Sequence, residues 1–358
     1  RIHQPREGRS PYDEELAELL VEGHPLVGAT CVGLASRRHG CDRMEFDLCI
    51  IDEGGRSTVP EMLIPLLRCR KAIIIGDHFQ LPPSVAGELM EAESREILPF
   101  LEDAFLKTSF FERLYEDLAE GCRGRLTEQF RMVEPIGALV SDLFYTTAGK
   151  RGLFNGKRHD RRGFLDPDHP LRWHDVPQGR EELENGKGPS RQNVGEARAI
   201  RDFVAVAASA LRTREENASR RKTVAVITPY GAQKRLIRRL LEESANVSDV
   251  LDIEVDTVDS FQGSEADIVL YSTVRTAGSI HFLLDWRRLN VACSRARENL
   301  VFFGCSEFLL KRETRSERPL FTLIHERATR TAVPQASKPE RREWAGTQRN
   351  FSRGAKRS

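Results

Sequence analysis

The chain has 358 residues, 39% hydrophobic and 30% charged, so its length predicts about two globular domains with a sizeable core. A formal net charge of +1 excludes a global basic field, so any binding of nucleic acid must depend on a local cleft. No secretory signal or membrane-length apolar run occurs, so we expect no membrane partner. The seven cysteines form no C-x-x-C pair, which favours reduced thiols in a reducing compartment, cytoplasmic or nuclear.

The start of the chain carries few signals. Residues 1–9 are polar and lack an initiator Met, so we expect the chain to begin inside a larger protein. Apolar residues among acids predict a helix over Pro11–Glu22. An apolar run that ends in small residues predicts a strand over Leu26–Leu34, for which a plain core strand is the simplest interpretation.

Two short apolar runs then end abruptly in polar residues. Cys49–Ile51 and Ala72–Ile75 show no polar alternation, which predicts buried parallel strands. Asp52 and Glu53 follow the first run, and Asp77 follows the second. Because open α/β sheets bind ligands at the carboxyl ends of their strands, we expect these side chains to line a site.

The two adjacent carboxylates suit phosphate chemistry. Asp52 can hold a hydrated Mg²⁺ ion, and Glu53 can orient and deprotonate a water. Gln80 can reach the same space from the second strand and sense a phosphate. An acidic pair after a strand is also typical of an ordinary helix start. The pair alone favours that structural interpretation, whereas the G-D-x-x-Q-L-P-P sequence of the second segment favours the functional one.

These segments resemble motifs II and III of superfamily 1 helicases of the 5′-to-3′ type, a group that includes the nonsense-mediated-decay RNA helicase and senataxin. Motif II reads D-E-x-x-Q and stands here as Asp52–Arg56, and motif III reads G-D-x-x-Q-L-x-P and stands as Gly76–Pro83. The resemblance implies an α/β fold of two RecA-like P-loop NTPase lobes with parallel sheets, the first incomplete at its N-terminus. It also implies ATP and Mg²⁺ as cofactors, and single-stranded nucleic acid as the partner of a monomeric motor.

The domain boundary follows from composition. A helix is predicted over Thr58–Leu67, a partly helical segment over Ser84–Leu106 and a connection over Thr108–Leu118. Gly and charged residues cluster at Gly121–Gly124, which indicates the boundary. The expected domains are the C-terminal part of the first lobe (1–121), the second lobe (122–325) and a basic, disordered tail (326–358).

The second lobe opens with a predicted strand over Leu126–Phe130. Arg131 follows in a Q-F-R-M sequence that resembles the family's motif IV. The resemblance implies that this Arg binds the nucleotide phosphates. A guanidinium suits this role because it is always charged and binds phosphate oxygens through two hydrogen bonds. Gly149–Pro189 predicts loops around one strand, Leu171–Val176. A helix from Asn193 to Leu211 then opens with N-x-x-E-A, which is also found in the family.

A further strand over Val224–Ile227 precedes a T-P-Y sequence and a basic amphipathic helix over Gly231–Leu241. T-P-Y resembles the family's segment over the nucleic-acid channel. A Tyr can stack on a base, although a buried Tyr beside Pro is the ordinary alternative. The nucleic-acid contacts that the resemblance implies are Thr30, Thr228, Pro229, Tyr230 and, in motif V, Thr257.

Motifs V and VI complete the pattern. Ile253–Asp267 resembles motif V, and Ile268–Val274 predicts a buried strand after it. Arg288–Gly304 resembles motif VI, in which Arg295 would be the arginine finger that stabilises charge on the γ-phosphate. Arg297 is interpreted as structural. The residues implied on the nucleotide side, besides Asp52, Glu53, Gln80 and the two arginines, are Gln262, Gly263, Glu265 and Asp77.

Two features depart from the family. No G-x-x-x-x-G-K-[ST] phosphate loop occurs in the 358 residues, and in the family that loop lies upstream of the segment corresponding to Leu26. Arg56 stands where motif II commonly has Gln, which puts that coupling contact in doubt. The alternative function is therefore a non-catalytic nucleic-acid-binding or interaction module derived from a helicase. A different P-loop enzyme, such as a nucleotide kinase, would not explain six motifs in the family's order.

Overall fold

The structure is a computed structural model. It describes residues 19–21, 23–36, 44–83, 109–146, 152–156, 165, 168–177, 179–184, 190–213, 221–243, 247–261, 263–313 and 318–331. The predicted segment Ser84–Leu106, most of the predicted helix Pro11–Glu22, Gln262 and the tail from residue 332 lie outside these ranges.

Helices and strands alternate along the described chain. The helices are α1 (Val59–Leu66), α2 (Phe110–Asp117), α3 (Glu134–Val140), α4 (Val194–Arg212), α5 (Gly231–Glu242), α6 (Trp286–Ser294), α7 (Ser306–Glu313) and α8 (Leu320–Arg327). The strands are β1 (Phe46–Ile51), β2 (Cys69–Ile74), β3 (Glu128–Gln129), β4 (Phe154–Asn155), β5 (Leu171–Asp175), β6 (Glu181–Leu183), β7 (Arg191–Asn193), β8 (Lys222–Thr228), β9 (Leu251–Thr257), β10 (Ala266–Ser272), β11 (Ala296–Gly304) and β12 (Thr329–Thr331).

A six-stranded sheet in the order β12-β5-β11-β10-β8-β9 forms the larger part of the fold. All of its strand pairs are parallel. Apolar clusters lie on both faces, so that every residue of β10 is buried. This double coverage is why residues 224–227 in β8, 268–270 in β10 and 300–303 in β11 are uninterrupted apolar runs, and the parallel pairing confirms the predicted α/β class with parallel sheets.

The smaller sheet pairs β1 with β2 in parallel, with Ile51 opposite Ile74, as the apolar runs predicted. The expectation that both strands are buried is wrong. Leu48, Ile50 and Ile73 are 47%, 63% and 50% exposed. Among the described residues this sheet has two strands, and helix α1 packs against it, so one apolar face stays open.

The predicted strand Leu26–Leu34 is also wrong. This segment is a turn that continues into a short 3₁₀ helix, Gly33–Ala35. The hydroxyl of Thr30 accepts a hydrogen bond from the Gly33 amide at 3.0 Å, and its carbonyl accepts one from Leu34 at 3.1 Å. Such local side-chain bonds compete with strand formation.

The remaining strand and boundary predictions need smaller changes. The strand expected over Leu126–Phe130 is reduced to the two residues of β3. Helix α8 continues to Arg327, and β12 then pairs with β5. Regular structure therefore continues to Thr331, past the predicted start of the tail at residue 326.

A buried carboxylate organises the carboxyl edge of the large sheet. Glu196 is fully buried in α4, whose N-cap is Asn193. It accepts hydrogen bonds from the hydroxyl of Ser272 at 2.7 Å and from the amide of Val274 at 2.8 Å. Val274 has φ of 69°, which is costly for a β-branched residue, so these bonds hold a strained turn after β10.

Burial raises the pKa of Glu196 to about 7, against hydrogen bonds from Ser272 and Val274 that lower it. The folded state then retains a proton that the unfolded state releases, so stability is greatest below the ordinary carboxyl pKa and falls as pH rises towards 7. The contribution is on the order of 3 kcal/mol.

Glu196→Gln should therefore remove part of the pH dependence of stability. We expect the free energy of unfolding of the variant, relative to wild type, to rise by a few kcal/mol between pH 5 and pH 8. Urea denaturation at both pH values measures it, and the same substitution at the exposed Glu254 is the control. A constant difference between variant and wild type would show that Glu196 does not titrate in this range.

Candidate active site between the two sheets

The carboxyl end of β1 presents two exposed carboxylates. Asp52 Oδ1 accepts a hydrogen bond from the Glu53 amide at 2.9 Å. Glu53 has φ of 56°, in the left-handed region that a non-glycine residue rarely adopts. The amide of Gly54 donates to the Ile75 carbonyl at 2.8 Å, which joins the ends of the two strands. The structure thus brings together the carboxylate pair and the segment after β2, as predicted.

Glycines allow these two segments to touch. A Cβ added at Gly76 would lie 2.6 Å from the Gly55 nitrogen, and one at Gly55 would lie 3.0 Å from the Asp77 carbonyl oxygen. Gly263 approaches from the other side, because a Cβ there would lie 3.8 Å from Glu53 Oε1. The predicted nucleotide-side residue Gly263 therefore lies beside the Glu53 carboxylate.

Asp77 organises the loop after β2 rather than facing outward. Its Oδ1 accepts from the Phe79 amide at 3.0 Å, and its Oδ2 accepts from Gln80 Nε2 at 2.8 Å. The hydroxyl of Tyr145 donates to the same Oδ2. Both carboxylate oxygens thus accept hydrogen bonds within the protein, and one of them holds the Gln80 amide.

Arg131 is presented by a turn that Gln129 builds. The Gln129 Oε1 atom accepts from the Arg131 amide at 3.0 Å and from the Met132 amide at 2.8 Å. Arg131 Nε donates to Glu265 Oε2 at 2.8 Å, and its Nη1 donates to the Ser294 carbonyl at 3.1 Å. The motif IV Gln therefore supports the backbone, while the Arg points to motifs V and VI.

Arg295 lies at the C-terminus of α6 and is 2% exposed. It donates to the carbonyls of Val291 at 3.1 Å and Ser264 at 3.0 Å. Its Nη2 donates to Gln80 Oε1 at 3.2 Å and to the Ser294 hydroxyl at 3.1 Å. Burial lowers its pKa to about 10, with the charge of Arg131 adding to that effect, so it remains a cation at neutral pH. The Gln80–Arg295 bond joins the predicted phosphate sensor to the predicted arginine finger.

Arg297 binds two carboxylates, Glu265 Oε1 at 3.2 Å and Asp267 Oδ1 at 3.6 Å. Glu265 is thereby held between Arg131 and Arg297. These contacts support the structural interpretation of Arg297. The single carboxylate of Glu265 is shared between these two cations, so its one negative charge offsets only part of their positive charge.

A cavity of about 370 Å³ opens beside these arginines, within the size range of small-ligand sites. It is lined by polar groups on one side and by aromatic and aliphatic groups on the other. The lining residues are Gln80, Gln129, Phe130, Arg131, Met132, Val140, Tyr145, Leu153, Glu265, Ser294 and Arg297.

The donor set near Asp52 fits Mg²⁺. Among the described residues no cluster of three His, Cys, Asp or Glu side chains could hold a metal by itself. Mg²⁺ typically binds through one or two carboxylates, several waters and substrate phosphates, so a single exposed Asp52 at a strand end suits it.

The predicted nucleic-acid residues lie at the opposite edge of the large sheet. Thr228 and Thr257 end β8 and β9 and face each other in the register. Arg295 instead precedes β11, at the amino ends of the parallel strands. Thr228 is 0% exposed, so its side chain is not available to a ligand; Tyr230 is half-buried, with its ring 5.7 Å from that of Phe282.

Thr30 lies apart, in the exposed turn before residues 33–35. Arg56, the departure from motif II, donates to the Asp259 carbonyl at 3.3 Å and so bridges motifs II and V. The sequence did not single out Tyr145, and Asn290 was noted only for its helix face. Both contact the loop after β2, and neither carries a signal beyond its place near a motif.

Two profiles described as AAA domain match the sequence, one over residues 106–307 and one over residues 4–88. The first covers more than half of the chain. The chain belongs to the AAA domain family. Its relatives are superfamily 1 helicases, which confirms the resemblance read from motifs II to VI.

This AAA domain chain is 34% identical to the uncharacterized ATP-dependent helicase MJ0104 of Methanocaldococcus jannaschii, over 83% of the chain and 41% of that protein. It is 34% identical to the DNA replication ATP-dependent helicase/nuclease DNA2 of Mus musculus, over 80% of the chain and 27% of the relative. It is 33% identical to the regulator of nonsense transcripts 1 homolog of Drosophila melanogaster, over 82% of the chain and 24% of that relative. The chain spans less than half the length of these relatives.

Solved helicase structures are also similar to the chain. The arterivirus nonstructural protein 10 helicase in complex with DNA covers 77% of this chain at 14% identity, with a TM-score of 0.35. The match takes in 41% of that helicase. In the part of the AAA domain chain that the structure describes, no helix combines the length and apolar character needed to cross a bilayer.

Arg297→Ala should destabilise the AAA domain fold. Its removal leaves Glu265 and the largely buried Asp267 without this cation, at an expected loss of about 2 kcal/mol. Arg212→Ala, which breaks an exposed pair with Asp249, is the matched control and should cost clearly less, because water screens exposed ion pairs. Urea denaturation compares the two. Equal losses for both variants would rule out a special structural role for Arg297.

Proposed function

We propose that this chain is the motor core of an ATP-dependent helicase that couples ATP hydrolysis to movement along single-stranded nucleic acid. The bond between Gln80 and Arg295 supports this best. In it, a group suited to sensing a phosphate contacts a cation suited to stabilising one, between two parallel sheets and within the electrostatic influence of Glu53. The helicase relatives point the same way.

Each group has one task in the proposed reaction. Asp52 would hold a Mg²⁺ ion, which would supply positive charge to the nucleotide phosphates. Glu53 orients a water and accepts its proton during in-line attack. Arg131 and Arg295 bind developing charge on the phosphates, Arg131 after release from Glu265. Gly263 gives Glu53 open space, because it carries no side chain.

The nucleic acid occupies the other edge of the large sheet in this proposal. The peptide segment Thr228–Tyr230 and the end of β9 at Thr257 lie there together. The strand would be gripped mainly through its phosphates, with Tyr230 and Phe282 able to stack bases. We further propose a monomeric motor in the cytoplasm or nucleus, in keeping with six free thiols among the described residues.

The second candidate is a non-catalytic strand-binding module, which the lack of a phosphate loop in the 358 residues favours. The retained Glu53, Arg131 and Arg295 favour the enzyme, since a module that only binds has no use for a general base. For the 358-residue chain alone we propose strand binding with negligible hydrolysis, because the loop and its Lys normally cradle the β- and γ-phosphates.

Steady-state phosphate release tests the enzyme. The chain alone should show negligible turnover, and a form that also carries a phosphate-loop segment should hydrolyse ATP and be stimulated by single-stranded oligonucleotide. Glu53→Gln in that form should lower kcat by about 10²–10⁴ with little change in KM for ATP, because it removes the general base. Glu254→Gln serves as the control. Undiminished turnover in Glu53→Gln would eliminate the assigned base.

Fluorescence anisotropy tests the proposed nucleic-acid contact at the carboxyl edge of the large sheet. Affinity of the chain for a single-stranded oligonucleotide should fall linearly with the logarithm of salt concentration, because phosphate contacts release counterions. Tyr230→Ala should weaken binding by about 1–3 kcal/mol if its ring stacks a base. The same measurements on a chain ending at residue 331 separate the sheet edge from the basic tail. Loss of all binding in that shortened chain would place the interaction in the tail and contradict the proposed channel.

A further inference from the structure

The loop 76–83 follows β2 but packs into the core of the large sheet. Leu81 is 7% exposed and belongs to the apolar cluster under β10 and β11. The Phe79 ring lies 5.4 Å from that of Tyr145 and 6.1 Å from that of Trp286. The loop is thus attached covalently to one sheet and packed against the elements of the other.

Polar bonds fix the same loop to the second sheet. Tyr145 ends the π-helical turn Ser141–Tyr145 after α3, and its hydroxyl donates to Asp77 Oδ2. Asn290 Nδ2 donates to the Phe79 carbonyl at 2.8 Å and to the Tyr145 oxygen at 3.1 Å. Tyr145 therefore bridges a side chain of α6 and the carboxylate that shapes the loop.

The Asp77 carboxylate sets the direction of the Gln80 amide. Gln80 Nε2 donates to Asp77 Oδ2 at 2.8 Å, so its Oε1 faces Arg295 Nη2 at 3.2 Å. An Asp77 free to rotate would no longer hold that end of the amide. Tyr145 is the donor from outside the loop that, together with the Phe79 amide on Oδ1, restrains this rotation.

We propose that Tyr145 is a positioning residue for Gln80, acting through Asp77, and that its hydroxyl couples the loop 76–83 to the large sheet. Tyr145 is suited to this role because its ring is buried and its hydroxyl keeps its proton. Burial, and next the charge of Asp77, raise the Tyr145 pKa well above its ordinary value. The hydroxyl is then a donor at every pH at which the protein works.

The consequence rests on the proposed function. If Gln80 senses the γ-phosphate, Tyr145 keeps the Gln80 amide aligned with Arg295 as the two sheets move relative to each other. Removing the hydroxyl would leave ATP binding intact but misalign the sensor in the transition state. Such a defect lowers kcat and leaves KM nearly unchanged.

The coupling is tested first without nucleotide, by amide hydrogen exchange of the 358-residue chain. Tyr145→Phe keeps the ring and removes the hydrogen bond, so exchange in a peptide covering residues 76–83 should accelerate about tenfold or more. Tyr115→Phe is the matched control, because its ring also faces this loop, 5.5 Å from His78. Unchanged exchange in Tyr145→Phe would overturn the proposal. If that variant does not fold, Asp77→Asn must give the same acceleration.

The positioning role is tested in an ATP-hydrolysing form that carries a phosphate loop. Tyr145→Phe should lower kcat about tenfold at unchanged KM, and it should have no further effect in a Gln80→Ala background, because both changes remove one function. Additive losses would show that Tyr145 does not act through Gln80 and would overturn the role. Absence of hydrolysis in the wild-type form would contradict the proposed function instead, and hydrogen exchange would still decide the coupling.

Discussion

The buried guanidinium of Arg295 is the constraint on which the arrangement of the two sheets depends. A cation that is 2% exposed must find acceptors for its donors, since an unpaired buried charge is very costly. Three of its four acceptors come from motifs V and VI, namely the carbonyls of Ser264 and Val291 and the hydroxyl of Ser294. The fourth is Gln80, which belongs to the loop of the other sheet. Full pairing of Arg295 therefore requires that the two sheets meet here.

Much of this organisation could be predicted from sequence, for a physical reason. Parallel strands covered on both faces are apolar along most of their length, so Val224–Ile227 in β8 and Ile268–Val274, which includes most of β10, could be predicted as strands. No strand was predicted at β11, whose first residues include Arg297, Glu298 and Asn299. The polar side chains proposed to act follow strand ends, which located Glu53 and Arg131. The carboxyl ends of β1 and β2 then had to meet, and the structure has them joined through Gly54 and Ile75.

Other features had no sequence signal because they depend on three-dimensional partners. Tyr145 lies 68 residues from Asp77, and nothing in its neighbourhood marks its hydroxyl as a donor to that carboxylate. The Leu26–Leu34 run has the composition of a strand, but the Thr30 hydroxyl accepts a hydrogen bond from the Gly33 amide and the segment forms a turn. Thr228 matched a family position, yet its side chain points into the sheet and is buried. A sequence pattern can predict a helix or a strand, whereas the orientation of an individual side chain depends on its packing in three dimensions.

The departure at Arg56 shows how the two edges of the large sheet can communicate. Asp259 lies in the 3₁₀ turn directly after Thr257, which ends β9 at the carboxyl edge of the large sheet. Its carbonyl accepts from Arg56 and its carboxylate binds Arg288 at 3.2 Å. Arg56 is three residues after Glu53, so a shift of the Asp52 and Glu53 carboxylates would pull on this turn. A Gln is shorter and uncharged, whereas an Arg spans the gap and adds a charge-assisted bond, so Arg56 can link the proposed ATP side to the proposed nucleic-acid side.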